Sequence, residues 1–527
     1  MTIEIKTRQG ERLRSAFSNE DPANLEQYPY VYMPEPLDQF IETKVPPEHQ
    51  RTFKILTHLA GPVSDLHAVL KSRFYPEQKR RTNESIEGAA QNNPALLSPY
   101  TAVAERFDRT FKVIPFQEHR EIEPLLIECQ DLLHAAADSS DHLRLRHYLR
   151  LLGERIRWGD YLGATKLWVQ HEHLPLHVQF GPLESYFDTR FGKKCSFQLT
   201  LGVLDEEATR KYTAMRDAFV QEHPLIHELL QYQPAEVGKV TVEAIQAAIY
   251  AGVMAEKKFV GEAIPNHPDQ QKAWGARILL IPNQYVIRFR DIFYAIQRHI
   301  DGRLADEFPS ESELRDMSLG GLVNTEEQAH FWIRMEGARD RLKGQYNLLN
   351  ECVACMLPLT VAARQWSEGR LPERQFRALL IAQMGSTLVK MDQGMFKDSV
   401  NIEDPLSAFI GKEHDARNLI IFCRLIRDRA VMVDEFGKIV DIRPKVALDV
   451  LQAMCQTYAG LYRSAKVEEV TRFVSWDLSF LLKSETFRMI QHASIGEVVE
   501  PVAIPGVALE QQIVRYGHEN NSSVAAG

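Results

Sequence analysis

The stretch FGPLESYFDTRFGKKCSFQLTLGVLD, Phe180–Asp205, decides how the fold is read. Its second half, CSFQLTLGVL, alternates apolar and polar residues, the period of a half-buried strand. The run before it, KLWVQHEHLPLHVQF from Lys166, alternates in part, so strand signals concentrate between Lys166 and Leu204. The run after it, DEEATRKYTAMRDAFVQEHPLIHELLQ, has helical spacing throughout.

Upstream, LLSPYTAVAE and FKVIPF read as an extended pair with a turn around Arg106–Arg109. Helices are predicted from about Glu118 to Ala137 and from Asp141 to Gly159, with a Ser-Ser-Asp break as the N-cap signal of the second. Helical periodicity near Arg51 precedes a polar connection from Tyr75 to Pro94. Downstream, residues 241–259 read as helix-like, ARILLI as a short strand, and the chain from Gln284 to about Glu497 as mostly helical. The tail NNSSVAAG is expected to be disordered. The pattern predicts an α+β protein of two lobes flanking a wide cleft. Its parts are a lead-in (1–45), a strand-rich lobe with a barrel-like core and helices (46–204), a helical segment (205–260), a return to the first lobe (261–283), a mostly helical lobe (284–497) and a C-terminal segment (498–527). Clefts between lobes are ordinary ligand sites.

Composition narrows the function. The 527 residues are 44% hydrophobic and 25% charged, with net charge −9 and no basic stripe, so nucleic acid is not an expected partner. MTIEIKTRQGERLRSAFSNEDP has no apolar core of a secretory signal, and no run of 18 apolar residues exists, so no membrane partner is expected. Six cysteines in this length do not make a disulfide framework, and a cytoplasmic chain with reduced thiols is expected. Cys352 and Cys355 form a CxxC inside an apolar helical run, where a buried face is expected rather than redox or metal chemistry.

The opening stretch resembles the dipeptidyl peptidase III family, whose signature is GP-[IL]-E-x-Y-x-D-x-x-x-G-x-K. Gly181, Pro182, Glu184, Tyr186, Asp188, Gly192 and Lys194 match it. AIPNHPDQQKAWGARILL resembles the family's N-x-P-N loop and the strand after it. LLNECVACM resembles E-E-C-[RK]-A-[DE], and KEHDARNLIIFCRLI resembles a late His-x-x-[RG]-N helix. The order of these motifs, over roughly residues 75 to 480, makes the resemblance specific. It implies that Glu184 and Tyr186 hold a peptide's N-terminal end. Asn266 would assist them, although Ala263 replaces the first Asn of that loop. It implies Glu351 as a zinc glutamate, with Asn350 and Cys355 replacing acidic neighbours. It implies His414 as a transition-state stabiliser, followed by Arg417 and Asn418.

The zinc helix departs from the family. His-Glu-x-x-His places two histidines one turn apart with a water-activating glutamate between them. Read from His330 as the first ligand, the segment from Gln328 offers His330-Phe331-Trp332-Ile333-Arg334. Phe331 cannot take a proton, and Arg334 repels a divalent ion. On that reading His330 and Glu351 hold a divalent transition metal only if a third ligand comes from elsewhere. The competing expectation is that no cofactor is held and Arg334 pairs with Glu351. His171, His173 and His177 alternate, would share one face of an ideal strand, and are expected to border the cleft as ligands, acid–base groups or simply polar edge residues. His223 and His227 fall in an HELL run that lacks a second histidine, since Gln231 stands there, and read as a solvated helix face.

Three functions remain open. In the first, a repurposed enzyme takes a small organic substrate, aromatic or quinone-like, among Phe331, Trp332, Arg334, Arg417, Glu184, Tyr186 and Asn266. A histidine such as His414 serves as base, and oxygenation is the candidate reaction. In the second, the chain captures short peptides without cleaving them. In the third, a residual metal-dependent hydrolase persists.

Overall fold

The computed structural model describes residues 21–71, 74–76, 83–108, 110–188, 190–305, 310–393, 406, 409, 412–483 and 490. The lead-in before residue 21 and the whole C-terminal segment lie outside them.

A mixed sheet organises the α+β fold. Its strands are β1 (Val31–Tyr32), β4 (Leu176–Glu184), β5 (Ser196–Leu204), β6 (Val240–Gly252), β7 (Gly261–Ile264) and β8 (Ala276–Leu280), in the order β4-β5-β6-β8-β7 with β1 also on β6. All pairs are antiparallel except β6 with β8. Side chains link the two ends of this path. Gln179 on β4 donates to Glu262 Oε2 on β7 at 2.7 Å, and Gln198 on β5 donates to Glu262 Oε1 at 2.9 Å. The path is therefore curled enough to bring side chains of β4 and β5 against β7. β2 (Thr101–Glu105) and β3 (Phe111–Pro115) form the expected extended pair.

The helical reading of residues 241–259 is wrong. Val240–Gly252 is a 13-residue strand, and only Val253–Lys257 is a short helix. Most of β6 is buried on both faces, which erases the alternation that distinguishes a strand from a buried helix. Conversely, the first half of the presumed strand before His171 is helical, because Asp160 caps it by accepting from Gly163 N at 2.9 Å.

On one side of the sheet lie α1 (Ala60–Lys71), α2 (Glu123–Ser139), α3 (Leu143–Arg157) and α4 (Tyr161–Gln170). The cap of α3 is His142, whose ring accepts from Leu145 N, and not the Ser-Ser-Asp break. A second set of helices packs on the other side. These are α5 (Glu206–Val220), α6 (His223–Leu230), α7 (Pro282–His299), α8 (Asn324–Trp332), α9 (Tyr346–Ser367), α10 (Glu373–Asp392), α11 (Glu413–Arg427), α12 (Pro444–Ser464) and α13 (Val467–Leu482). A hairpin of β9 (Val431–Val433) and β10 (Ile439–Ile442) interrupts them. Among the described residues two large hydrophobic cores result, and the sheet is their common wall. On β8, Ala276, Ile278 and Leu280 enter the core of α5–α13, while Leu279 enters the core of α1–α4, as a period of two requires.

Cys352 and Cys355 are buried on α9 as expected, and all six cysteines are free thiols. The helical stretch Ala338–Ser367 is long and apolar enough to cross a membrane, yet 78% of its apolar window is buried within the protein. Its composition is that of a core helix.

Candidate functional site

The signature after Phe180 divides into residues that build a turn and residues that the turn presents. Asp188 accepts four backbone N–H groups, from Arg190, Phe191, Lys193 and Lys194, and the Tyr75 hydroxyl. Gly192 takes φ +62° in that turn, a conformation glycine adopts without strain. Lys194 runs inward and donates to Thr101 O at 2.6 Å and Ser98 O at 3.1 Å. The turn so fixed places Glu184 at the end of β4, where its Oε1 accepts from Asn266 Nδ2 at 3.0 Å. Burial, with Glu262 adding to it, pushes the Glu184 carboxyl up to about 8. Tyr186 stays half exposed at the rim, its ring 5.4 Å from Phe259 and under Lys257 Nζ. The three residues that the resemblance named as amine anchors thus share one place.

The second half of the site comes from α8, α9 and α11. A π-helical turn, Leu319–Val323, feeds α8, and such turns recur next to functional sites. Gly320 is closely packed in it: a Cβ there would stand 2.4 Å from Met215 Sδ and 2.8 Å from Tyr212 Cδ1. On α8 the residues Glu326 and His330 lie one turn apart and face Glu351 of α9. His330 Nε2 is 3.8 Å from Glu326 Oε1 and 3.7 Å from Glu351 Oε1. One ligand atom from each of the three lies within 4.8 Å of the others. Glu327, between them in sequence, is pushed up to about 8 by burial against the pull of His330, with Glu326, Glu351 and Glu262 adding to the rise. The opening of β7 makes room for it: a Cβ at Gly261 would stand 3.4 Å from Glu327 Oε1.

The register of the zinc-like motif is therefore four residues earlier than the sequence reading placed it. His330 is the last residue of the motif, not the first. The segment Glu326-Glu327-Gln328-Ala329-His330 is His-Glu-x-x-His with a glutamate in the first ligand position. Glu326 is a third candidate donor beside His330 and Glu351, and the Glu327 carboxyl follows it in sequence. The E-E-x-x-H spacing was legible in the sequence; reading the motif forward from its one histidine concealed it.

Two neighbours complete the cluster. Arg417 on α11 donates from Nη1 to Glu351 Oε2 at 2.7 Å and also bonds Glu326 Oε1. His414, one turn earlier and more than half exposed, holds Nε2 3.3 Å from Glu351 Oε2. Burial alone would raise the Glu351 carboxyl, but His414, His330 and Arg417 hold it below its ordinary value. The His330 ring is raised: burial pulls it down, and Glu351, Glu326 and Glu327 outweigh that.

The donor set fits a divalent transition metal, and one detail supports the fit. Asn350 Nδ2 stands 2.9 Å from His330 Nδ1, while Asn350 Oδ1 is buried without a partner. The two amide atoms are exchangeable by a flip. The flipped amide accepts from His330 Nδ1–H and frees Nε2 as a ligand, the usual arrangement of a metal histidine. Two carboxylates and one imidazole make harder donors than two imidazoles and one carboxylate. Arg417 occupies the same two carboxylates, so it and a metal ion compete for them.

Other expected site residues lie elsewhere. Phe331 is fully buried, and Trp332 stacks on Phe219 with His223 edge-on, both within the core of α5–α13. The apolar face of α8 turns them inward. They do not line the site, and His223 is part of their packing. Arg334 does not pair with Glu351; Arg417 does. The three histidines of HEHLPLH separate. His171 ends α4 against Arg277, His173 is exposed, and His177 is buried with Nδ1 2.5 Å from Glu243 Oε1. Pro175 ends any shared strand face, and β4 itself begins only at Leu176. His177 lies seven residues from Glu184 along β4, roughly 23 Å at the rise of a strand. His171 and His173 line an open depression of about 540 Å³ with Lys239 and Trp274.

Two solved structures resemble this architecture. The dipeptidyl peptidase III of Caldithrix abyssi aligns over 93% of this chain and 92% of its own, with TM-score 0.63 and 18% identity. That of Corallococcus sp. strain EGB aligns over 91% and 95%, with TM-score 0.67 and 14% identity. The chain has the dipeptidyl peptidase III fold. Among curated proteins, Nudix hydrolase 3 of Arabidopsis thaliana is 24% identical over 224 residues, which is 42% of this chain. The match spans 28% of that protein's length. No family model matches the sequence.

Proposed function

We propose that the chain is a metal-dependent hydrolase that acts near the free amine of short peptides. The observation that carries this reading is the convergence of Glu326, His330 and Glu351 within 4.8 Å, with Glu327 beside them. Glu326, His330 and Glu351 are the residues that would hold the ion. A divalent ion there supplies Lewis acidity and a more acidic bound water. Glu184 and Asn266 bind and orient the substrate ammonium. Glu327 holds or releases a proton, as a buried carboxyl with a raised pKa does. His414 reaches from the exposed side and donates a hydrogen bond to a carbonyl oxygen as charge builds on it. Oxygenation of a flat aromatic compound has no comparable support, because Phe331 and Trp332, its presumed platform, lie in the core.

A second reading, capture without turnover, is favoured by Arg417, which already neutralises two of the three donors. The purified full chain is stripped with EDTA and desalted after exposure to Mn²⁺, Fe²⁺ or Zn²⁺. Bound metal is then counted by mass spectrometry while peptide cleavage is followed by chromatography. About one bound ion, lost together with cleavage in His330→Ala and Glu351→Gln, is the expected result. Peptide binding with neither metal nor cleavage establishes capture. A chain that binds neither metal nor peptide removes both readings.

A further inference from the structure

Arg334 is a cation without a counterpart. It follows α8 by two residues and is half buried. Among the described residues its guanidinium makes no hydrogen bond or ion pair, and its Nη1 is fully shielded from solvent without an acceptor. Three other guanidiniums show what this protein ordinarily does with such a group. Arg277 bonds Glu243 and the carbonyls of His171 and Val169. Arg417 bonds Glu326 and Glu351. Arg341, in the same connection as Arg334, donates to the carbonyls of Tyr462 and Ala465 at 2.6 Å each. A guanidinium has five N–H donors and no acceptor, and removing it from water unpaired is costly. A charge retained at that cost is a candidate for ligand binding.

Its surroundings say which end of the ligand it meets. The carboxylate that acts on Arg334 is Glu184, the amine anchor, and Arg334 in turn pulls the Glu184 carboxyl down against burial. His267, next to the second anchor Asn266, is pushed down by burial and then by Arg334. The unpaired guanidinium thus lies close enough to Glu184 for the two charges to act on each other.

We infer that Arg334 is a specificity residue that binds a carboxylate carried within a few bonds of the substrate's free amine. This rests on the amine-anchoring part of the function proposed above. Glu184 would take the ammonium and Arg334 the carboxylate, so the site reads a zwitterion rather than a lone cation. Arg–carboxylate pairs are planar, bidentate and charge-assisted. The carboxylate can come from an acidic first side chain or from the α-carboxylate of a dipeptide.

Calorimetry on the metal-free full chain separates these cases. The probes are Asp-Ala-Ala, Ala-Ala-Ala, Lys-Ala-Ala, Ala-Ala and its C-terminal amide, with N-acetylated Asp-Ala-Ala as control. Asp-Ala-Ala, or Ala-Ala over its amide, is expected to bind at least about tenfold tighter than Ala-Ala-Ala. Which of the two does so identifies the source of the carboxylate. Arg334→Gln erases the preference, so that within this variant Asp-Ala-Ala or Ala-Ala binds no tighter than Ala-Ala-Ala; Arg334→Lys keeps part of it; Arg334→Glu turns it toward Lys-Ala-Ala. Binding of all free-amine peptides with equal affinity, or a preference that survives in Arg334→Gln, overturns this inference and leaves the amine-anchoring reading intact. Indifference to N-acetylation, or no peptide binding at all, overturns both.

Discussion

Glu184 is 9% exposed, and one hydrogen bond from Asn266 does not compensate for its burial. Its carboxyl ordinarily titrates at 4.5 and is pushed up to about 8 in the folded chain. Between those values the folded state binds more protons than the unfolded one, so this group's contribution falls as pH rises from about 4.5 to 8. Glu184→Gln should therefore stabilise the protein by up to roughly 4 kcal/mol at pH 8 and change little near pH 4. Urea titrations of both proteins at the two pH values check this. The gain should coincide with loss of amine binding, the trade expected of a functional group held at a cost to stability. Glu184, Tyr186 and Asn266 were legible in the sequence because their motif also builds the turn that carries them. Glu326 and Glu327 were overlooked because two adjacent acids at a helix start look like ordinary N-terminal charge, and nothing local tells a ligand from a solvated residue. Arg417 could be named as a cleft residue, but its bond to Glu351 depends on three helices far apart in sequence.

Those three helices are α8, α9 and α11, and Arg417 joins them by bonding Glu326 on one and Glu351 on another. Replacing it with methionine leaves two nearby carboxylates without their cation, a loss of about 3 kcal/mol for a buried pair. In EDTA, Arg417→Met should melt well below the parent chain. Mn²⁺ or Zn²⁺ should raise its melting temperature more than that of the parent, in which the ion must displace a guanidinium. Thermal melts with and without metal provide the comparison. At this scale the sequence failed where elements are buried on every side. β6 was read as a helix because nearly all of its residues face an interior. His171, His173 and His177 read as one strand because alternation continues from β4 back through what is a helix end and a loop. The hairpin of β2 and β3 and the helices α2 and α3 were read correctly, since each keeps a wet face and hence a clear period.

At the scale of the molecule the arrangement of the two cores matters most. Ile278 and Leu279 are consecutive, both fully buried, and face opposite cores. Ile278→Ala and Leu279→Ala should each cost about 2–5 kcal/mol. Both should lower the same calorimetric transition, because loosening β8 from either side removes a wall of the other. Two separate transitions, each sensitive to one substitution, would mean that the cores melt on their own. The resemblance foresaw a strand-rich and a helical part, but not that a single sheet serves both, which follows from the alternation along β8.

That shared wall also limits how such a chain can change over evolutionary time. A protein built of separable modules can lose one, duplicate one or lend one to another gene. Here any cut between the halves strips a face of β8 and β6 bare, so neither half is transplantable. Change is confined to what can be exchanged in place, one side chain at a time, and a histidine-to-glutamate swap on an otherwise intact helix is the kind of revision such an architecture permits.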